Sequence, residues 1–216
     1  MIVMLALDHI VISGTNVEQA SEQYGKQLSI KAVKGGEHES WGTYNYLAYF
    51  SNSCYIEWLG IHDLQRAKQV EIPLIQHLVH TVEAYDKAVP FQFALRTNKL
   101  DEYVNHFKRH QIPYKGPFSG QRKKPDGTMI TWRMLFPEYD FQTEMLPFLI
   151  EWETMNDIRG LDNPQAITSL KFGGTTKEQF THMYNLKPRK ILKHFVRLRN
   201  TKLYFTDNPE LSFKIE

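Results

Sequence analysis

Two copies of the tripeptide Ile-Glu-Trp put one glutamate at a matching position in each half of the chain. The copies are residues 56–58 and 150–152, and His9 lies on the apolar stretch that opens the first half. One imidazole and two carboxylates, with positions left for water or substrate, suit a divalent ion of Fe, Mn, Zn, Ni or Co. Such an ion can polarise a carbonyl or enediolate oxygen, acidify water or bind dioxygen. We therefore predict a metal site of His9, Glu57 and Glu151, in which both glutamates also take part in catalysis.

The alternation of side chains along the two closing strands predicts which way the glutamates point. Residues two apart on a strand share a face, so each glutamate lies opposite the Ile and Trp that flank it. If those apolar residues pack on a helix, Glu57, Glu151 and His9 all face the concave side of the sheet. A carboxylate there is costly unless it is paired or metal-bound. The alternatives are salt bridges from both glutamates to arginine or lysine, and a hydrogen-bonded strand position for His9.

The two tripeptides belong to a longer internal repeat, which predicts two related modules. Each module has an apolar strand before a Thr-Asn pair, a helical stretch, a Gly-Thr pair and a closing strand with the glutamate. The modules are predicted to span residues 1–62 and 90–153, each in the order βαβββ, with residues 63–89 as a polar, partly helical connector. Residues 154–216 read as a shorter third copy. The predicted fold class is therefore α+β, with tandem βαβββ modules forming a curved mixed sheet around a cavity and a C-terminal half-unit.

Composition restricts the class of partner. The chain has 216 residues, 42% of them hydrophobic and 23% charged, which is ordinary for a globular protein. A net charge of +2 is too small to indicate nucleic-acid binding, and no stretch reaches the ~20 apolar residues of a membrane helix. The single cysteine, Cys54, fits a reducing compartment. We expect a cytoplasmic protein that binds a small molecule, and neither nucleic acid nor membrane.

The residues of the two modules resemble a known superfamily. The opening Leu7-Asp8-His9-Ile10, the tandem order and the strand-final glutamates resemble the vicinal oxygen chelate superfamily, which includes glyoxalase I, extradiol dioxygenases and bleomycin-resistance proteins. The resemblance is closer to its glyoxalase-like subfamily, and the following motifs carry it: His38 with Gly42-Thr43-x-Asn45, Ala94-Leu95-Arg96, Arg122-Lys123-Lys124-Pro125-Asp126-Gly127, Trp132-Arg133 and Leu146-Pro147-Phe148-Leu149-Ile150-Glu151-Trp152. It covers about residues 7–153. The subfamily has no well-defined shared reaction, so the resemblance does not imply glyoxalase activity.

The resemblance also implies where metal ligands lie. In the superfamily they come from the first and last strands of each paired module, which implies the three ligands named above. The fourth position falls on Phe91, and phenylalanine cannot bind a metal. This departure weakens the case for a four-ligand site. Gln92, one residue further on, and His38 are the alternative fourth ligands.

Four side chains are candidates for contact with a substrate. Arg133 and Arg122 could hold a carboxylate or phosphate in a bidentate clamp, and Asn45 could donate a hydrogen bond. His38 is expected on a loop able to cover the cavity. The alternatives are salt bridges for the arginines and an exposed loop position for His38. Strand alternation places Trp132 and Arg133 on opposite faces, so only one of them lines the cavity.

A second pair of histidines has a spacing that can bind zinc. His106 and His110 lie four residues apart on a predicted helix. Lys108 and Arg109 lie between them and no carboxylate is near in sequence. Exposure to solvent is therefore the favoured interpretation.

Two functions are consistent with these features. The first is a metal-dependent lyase, isomerase or dioxygenase that chelates two neighbouring oxygens of a small substrate. The second is a metal-free protein that binds or sequesters a small aromatic or acidic molecule, which the aromatic residues Tyr44, Tyr55 and Phe91 favour. A homodimer is expected, because superfamily modules often pair between chains and the third module lacks a partner.

Overall fold

Two β-sheets of different size organise the chain, and helices pack on both faces of the larger one. The computed structural model describes residues 5–123, 127–141, 143–154, 162–186, 195–208 and 210–216. Within these residues the larger sheet has nine strands and the smaller one four. No helix in this part of the chain is long and apolar enough to cross a membrane.

The first module has the predicted order βαβββ. Its elements are β1 (Ala6–Ser13), α1 (Val17–Leu28), β2 (Val33–His38), β3 (Thr43–Phe50) and β4 (Cys54–Ile61). Asn16 caps α1, because its side chain accepts a hydrogen bond from the backbone N–H of Gln19 at 3.0 Å. Strand β2 extends to His38, so this histidine ends a strand and does not lie in a loop as expected.

The connector and the second module follow. They comprise α2 (Leu64–Gln69), α3 (Pro73–Ala84), β5 (Val89–Arg96), α4 (Leu100–His110), β6 (Tyr114–Lys123), β7 (Met129–Pro137) and β8 (Phe148–Trp152). Pro73 begins α3, where its missing N–H costs no helical hydrogen bond, and it marks the break between α2 and α3. Strand β6 completes the second βαβββ order.

The strand order of the larger sheet is nearly symmetric between the modules. It runs β2-β3-β4-β1-β5-β8-β7-β6. In each module the first strand pairs in parallel with the last, β1 with β4 and β5 with β8, and the two first strands meet in antiparallel pairing. Both modules of this chain therefore build one sheet, and the α+β fold class is confirmed.

The C-terminal unit shares the order of elements but not the pairing. After β9 (Asp162–Asn163), which pairs with β3, come β10 (Ile167–Gly173), α5 (Lys177–Met183), β11 (Phe195–Arg197), β12 (Lys202–Thr206) and β13 (Leu211–Ile215). Strand β10 pairs in parallel with β12 and antiparallel with β13. Strand β13 thus lies against β10 as β5 lies against β1. Residues 213–216 (Phe-Lys-Ile-Glu) resemble residues 148–151 (Phe-Leu-Ile-Glu) in sequence, but β13 and β8 do not occupy equivalent positions in their units.

The two faces of the larger sheet have separate cores. On the outer face, Ile56, Trp58 and Leu149 pack with α1, α4 and the C-terminal unit. On the inner face, Leu59 and Phe148 share a core with α2 and α3. The connector therefore covers part of the inner face, and the C-terminal unit packs on the same chain. The expectation that the third module lacks a partner is wrong.

Candidate functional site

A cavity lies on the inner face of the larger sheet, beside the connector helices. It has a volume of about 490 Å³, including its open mouth. Its walls are mostly aromatic and aliphatic, with four polar side chains among them. The lining residues are His9, His38, Trp41, Asn45, Leu47, Tyr55, Glu57, Leu59, Leu74, Trp132, Met134, Phe148, Ile150 and Trp152.

Glu57 is the buried carboxylate of this cavity. It lies on β4 and is 8% exposed. Asn45 on the neighbouring strand β3 donates its side-chain N–H to Glu57 Oε1 at 2.5 Å. His9 Nε2 on β1 lies 3.5 Å from Glu57 Oε2. These contacts confirm that Glu57 and His9 face one cavity, as alternation predicts, and they add Asn45 to the group.

His9 is held from behind by Asp8, which the sequence analysis does not single out. Asp8 Oδ1 lies 2.8 Å from His9 Nδ1, and Trp152 Nε1 donates to Asp8 Oδ2 at 3.0 Å. Complete burial raises the pKa of the Asp8 carboxyl, but the hydrogen bond and charge of His9, the charge of Arg96 and the Trp152 N–H together lower it below its usual value. An ionised Asp8 fixes the imidazole with Nε2 towards the cavity.

Asp8 and His9 can meet because strand alternation is interrupted at this point. The pairing of β1 with β5 shifts register between Leu7 and His9. Such a shift turns side chains away from strict alternation. The His9 ring is stacked on Tyr55 at 4.6 Å between centroids and meets Phe148 edge-on at 5.6 Å. The imidazole is thus fixed by a carboxylate on one side and aromatic rings on two others.

Glu151 lies on the opposite face of the sheet, so the expectation that it faces the cavity is wrong. Its Oε1 accepts a hydrogen bond from the backbone N–H of Leu100 at 3.3 Å, in the first turn of α4. Its Oε2 lies 2.5 Å from Arg133 Nη2. A carboxylate at a helix N-terminus is stabilised by the helix dipole. Glu151 therefore secures α4 to the sheet, and the predicted group of three ligands is not formed.

The two Ile-Glu-Trp copies point in opposite directions, which explains the error. In β4, Ile56 and Trp58 pack in the outer core with α1. In β8, Ile150 and Trp152 line the cavity. Because the cavity wall is itself apolar, a bulky apolar side chain on a strand can face either the outer core or the cavity. The two glutamates therefore do not occupy equivalent positions in the sheet.

Arg133 does not line the cavity. Arg133 forms a bidentate pair with Asp101 at 3.0 and 3.3 Å and also contacts Glu151. Hydrogen bonds to Asp101 and Glu151 raise its pKa above the usual value. Its neighbour Trp132 lines the cavity instead. The salt-bridge alternative is therefore realised for Arg133, while the side chain of Arg122 lies outside the described residues.

His38 takes a buried position at the cavity wall. It is 8% exposed, its Nδ1 lies 3.0 Å from Thr43 Oγ1, and its ring packs on Trp41 at 5.0 Å. An outer groove adjoins the cavity across these two residues. The groove is lined by His38, Ser40, Trp41, Ser119, Gly120, Gln121, Thr131 and Glu153. His38 and Trp41 form the boundary between an aromatic inner cavity and a polar outer groove.

Gln92 is not available as a fourth ligand. Its side-chain amide donates to Tyr139 Oη at 2.5 Å and to the Leu146 carbonyl at 3.1 Å, and its oxygen accepts from Phe93 N at 2.7 Å. Phe91 packs against His77 beneath α3. Phe91 therefore serves the contact between the sheet and the connector, whereas Gln92 holds the segment between β7 and β8.

The cavity does not offer the three-ligand metal site that the sequence predicts. Among the described residues, no three His, Cys, Asp or Glu side chains are placed to hold an ion. His9 and Glu57 are two donors. The Asn45 oxygen, a further candidate, already accepts from Gly36 N at 2.9 Å. The residues therefore do not fit a resident ion held by three such ligands.

Comparison with known proteins finds a matching family and structures of similar architecture. The chain matches the family model of the glyoxalase-like domain over residues 7–187. A hypothetical protein from Staphylococcus aureus has a similar structure, with a TM-score of 0.76 at 19% identity, covering 96% of this chain and 88% of that protein. A variant of methylmalonyl-CoA epimerase from Streptomyces coelicolor, in complex with 2-nitronate-propionyl-CoA, gives 0.50 at 13% identity, covering 70% and 99%. No curated protein matches the sequence.

At these identities the two structures show a shared fold and no shared reaction. The family match is of a different kind, because it covers most of the chain. It includes both modules, the connector and the start of the C-terminal unit. The paired βαβββ modules have the architecture that the sequence motifs predict. The chain therefore belongs to the glyoxalase-like domain family of the vicinal oxygen chelate superfamily.

Proposed function

We propose that this protein binds a small planar molecule in the inner cavity without a resident metal ion. The observation that carries the proposal is the buried Glu57 carboxylate, held by Asn45 and His9 within walls that include three tryptophans. Aromatic walls favour a flat ligand, because rings gain most from stacking and edge contacts. A few convergent polar groups in an apolar cavity are typical of a small-molecule site.

The chemistry of the polar groups defines the ligand further. A carboxylate accepts hydrogen bonds and donates none, and one Glu57 oxygen is already bonded to Asn45. The other oxygen faces His9 at 3.5 Å, a distance that leaves it able to accept from a ligand. We infer a ligand with an N–H or O–H donor on an aromatic or conjugated ring. The epimerase structure, which holds a coenzyme A derivative, supports small-molecule binding by this fold.

Glu57 and Glu151 provide a matched test of the proposal. Glu57→Gln should weaken binding of planar donors such as phenols and indoles roughly tenfold or more, because a charged hydrogen bond contributes about 1.5–3 kcal/mol. Glu151→Gln alters the same tripeptide on the opposite face and should leave binding unchanged. A thermal-shift screen would find ligands, and calorimetry would measure affinity. Equal weakening by both substitutions, or by neither, would reject the site.

Proton transfer on the bound molecule is a second candidate function. The specific observation is the sequence of contacts from Asp8 to His9 to Glu57, in which each imidazole nitrogen faces a carboxylate oxygen. A positioned His or Glu can accept a proton from a substrate within hydrogen-bond reach. Turnover of a bound ligand that is lost in both Glu57→Gln and His9→Gln would establish this function, whereas binding without turnover would leave the protein as a binder.

Of the three predicted ligands, a metal-dependent enzyme could use only His9 and Glu57, because Glu151 lies on the other face of the sheet. Elemental analysis of untagged protein beside Glu57→Gln tests this alternative. A near-stoichiometric transition metal that disappears in the variant would overturn the metal-free proposal. No such metal, even after reloading, is the expected result.

Two further expectations from the sequence stay predictions. The third module is no longer a reason to expect a homodimer, because that unit packs on its own chain. Light scattering would decide it, and a monomeric mass would reject it. The cytoplasmic location rests only on the single cysteine, Cys54.

A further inference from the structure

Three histidines that are far apart in sequence meet where two helices end. His106 and His110 lie in the last turns of α4, and His182 lies in the last turn of α5. The ring centroids are 4.4 Å apart for His106 and His110, 5.2 Å for His110 and His182, and 6.3 Å for His106 and His182. The sequence shows only the pair on α4. The fold adds the third imidazole from the C-terminal unit.

We propose that this histidine cluster, His106, His110 and His182, binds one borderline divalent cation such as Zn²⁺ and thereby joins α4 to α5. Zinc binds histidine nitrogen at about 2.0–2.1 Å, so tetrahedral coordination places neighbouring imidazole centroids roughly 5 Å apart. The three observed separations lie around that distance. Three histidines with water as the fourth ligand form a common zinc coordination.

The cluster needs only side-chain rotation to reach this arrangement. In the conformation described, the three rings do not already converge as a ligand set. His106 Nε2 lies 3.1 Å from the backbone carbonyl oxygen of His182, which engages one of the required nitrogens. Rotation of an exposed side chain takes place in picoseconds to nanoseconds, and His110 and His182 are both exposed. The ring-centroid separations of 4.4 to 6.3 Å leave the three side chains within rotation of one ion.

Local electrostatics also favour a cation here. The carbonyl groups at a helix C-terminus carry partial negative charge and stabilise a cation, and α4 and α5 both end at the cluster. Lys108 lies two residues from either α4 histidine and so points to another side of the helix.

The expected consequence is a cross-link between the second module and the C-terminal unit. Beneath the cluster, Phe107 of α4 shares a core with Phe180 and Tyr184. An ion above that core would hold the short helix α5 against α4. Its binding should therefore raise the melting temperature and slow hydrogen exchange at the amides of α5.

Zinc titration of untagged full-length protein tests the inference. We expect one equivalent of Zn²⁺ to bind, with affinity reduced more than about tenfold in His182→Ala, because loss of an outer-shell partner alone usually costs 10–100-fold. A double substitution, His106→Ala with His110→Ala, should abolish binding. His80→Ala, which removes an exposed histidine of α3, is the matched control and should bind as the wild type does.

Two further readouts separate this site from the cavity and from adventitious binding. Zinc at a hundredfold excess over Kd should raise the melting temperature of the wild type by roughly 5 °C or more, but not that of His182→Ala. Glu57→Gln should bind zinc at the histidine cluster with unchanged affinity, because Glu57 lies in the cavity. If zinc does not bind at the cluster, the cavity proposal is therefore unaffected. Unsaturable binding, equal affinity in His182→Ala, or binding without protection of α5 would overturn the inference. His182→Gln checks that any loss is not due to misfolding.

Discussion

At the scale of single residues, the cavity depends on a charge that lies behind its wall. Asp8 is fully buried and positions His9. It also accepts a hydrogen bond from Trp152 Nε1, and its Oδ2 lies 3.4 Å from Arg96 Nη1. The sequence predicts His9 and Glu57 in the cavity from alternation, but it does not predict Asp8 as their support. Neighbouring strand residues normally point to opposite faces. The register shift between Leu7 and His9 allows this contact, and no residue type in the sequence predicts the shift.

Substitution of Asp8 should make the free energy of unfolding depend less on pH in the acidic range. The folded state lowers the pKa of Asp8 from its usual 3.8, so this group stabilises the fold above that pH and the contribution is lost as pH falls through the folded value. Asp8→Asn should cost on the order of 3 kcal/mol at pH 7, since it breaks a buried charged contact. Urea unfolding should show that the cost shrinks below pH 4. A cost that is constant with pH would contradict this, and the exposed Asp86→Asn is the control.

At the scale of elements, local patterns predict where strands and helices lie better than which way they face. The internal repeat predicts the order βαβββ in each of the two modules, and the observed elements follow it. The direction of Glu151 could not be predicted, because both faces of β8 bury apolar side chains. The pairing of β13 could not be predicted either, since the order of elements leaves several partners open.

Helix α3 illustrates an element whose attachment depends on protonation. His77 on α3 is stacked on Phe141 at 4.4 Å and packs edge-on against Phe91 at 4.9 Å. Burial, and then the charge of His80, lower its pKa to about 4. A charged imidazole is costly among aromatic rings. Acid should therefore loosen the connector from the inner face of the sheet.

Stability should fall by about 2 kcal/mol between pH 7 and pH 5 because of His77. Its folded pKa is lowered from 6.5 to about 4. The unfolded chain therefore takes up the proton first, and this contribution is present above pH 6.5 and lost as pH falls towards 4. Urea unfolding across this range should show that His77→Phe removes the slope, while His80→Phe, which removes only the smaller cause, retains most of it. An unchanged slope in His77→Phe would exclude this histidine as its source.

At the scale of the whole molecule, asparagine side chains tie the C-terminal unit to the first module. Asn200 accepts from Leu7 N at 2.8 Å and donates to the carbonyl oxygens of Leu7 at 2.9 Å and Asn52 at 3.0 Å. Asn52 in turn donates to the Ile167 carbonyl at 3.0 Å. These bonds join the edge of the smaller sheet to β1 and to the turn between β3 and β4. The two sheets are therefore expected to unfold together.

Asn200→Ala should lower the free energy of unfolding by roughly 2–3 kcal/mol, because it leaves backbone groups of Leu7 without partners. Asn208→Ala, at an exposed turn, is the control and should change little. Urea unfolding followed by tryptophan fluorescence and by circular dichroism should give one coincident transition. Separate transitions in the wild type would show that the C-terminal unit unfolds independently.

The near-symmetric sheet encloses a cavity whose two walls have diverged. The first module contributes the polar side chains His9, Asn45 and Glu57, whereas β7 and β8 of the second contribute Trp132 and Trp152. In the proposed complex, a ligand meets the hydrogen-bonding groups on the side of the first module and the tryptophans of β7 and β8 on the other side. It can satisfy both sides in only one orientation. Substitutions in the first half should change which functional group is recognised, and those in the second should change which ring shape is accepted.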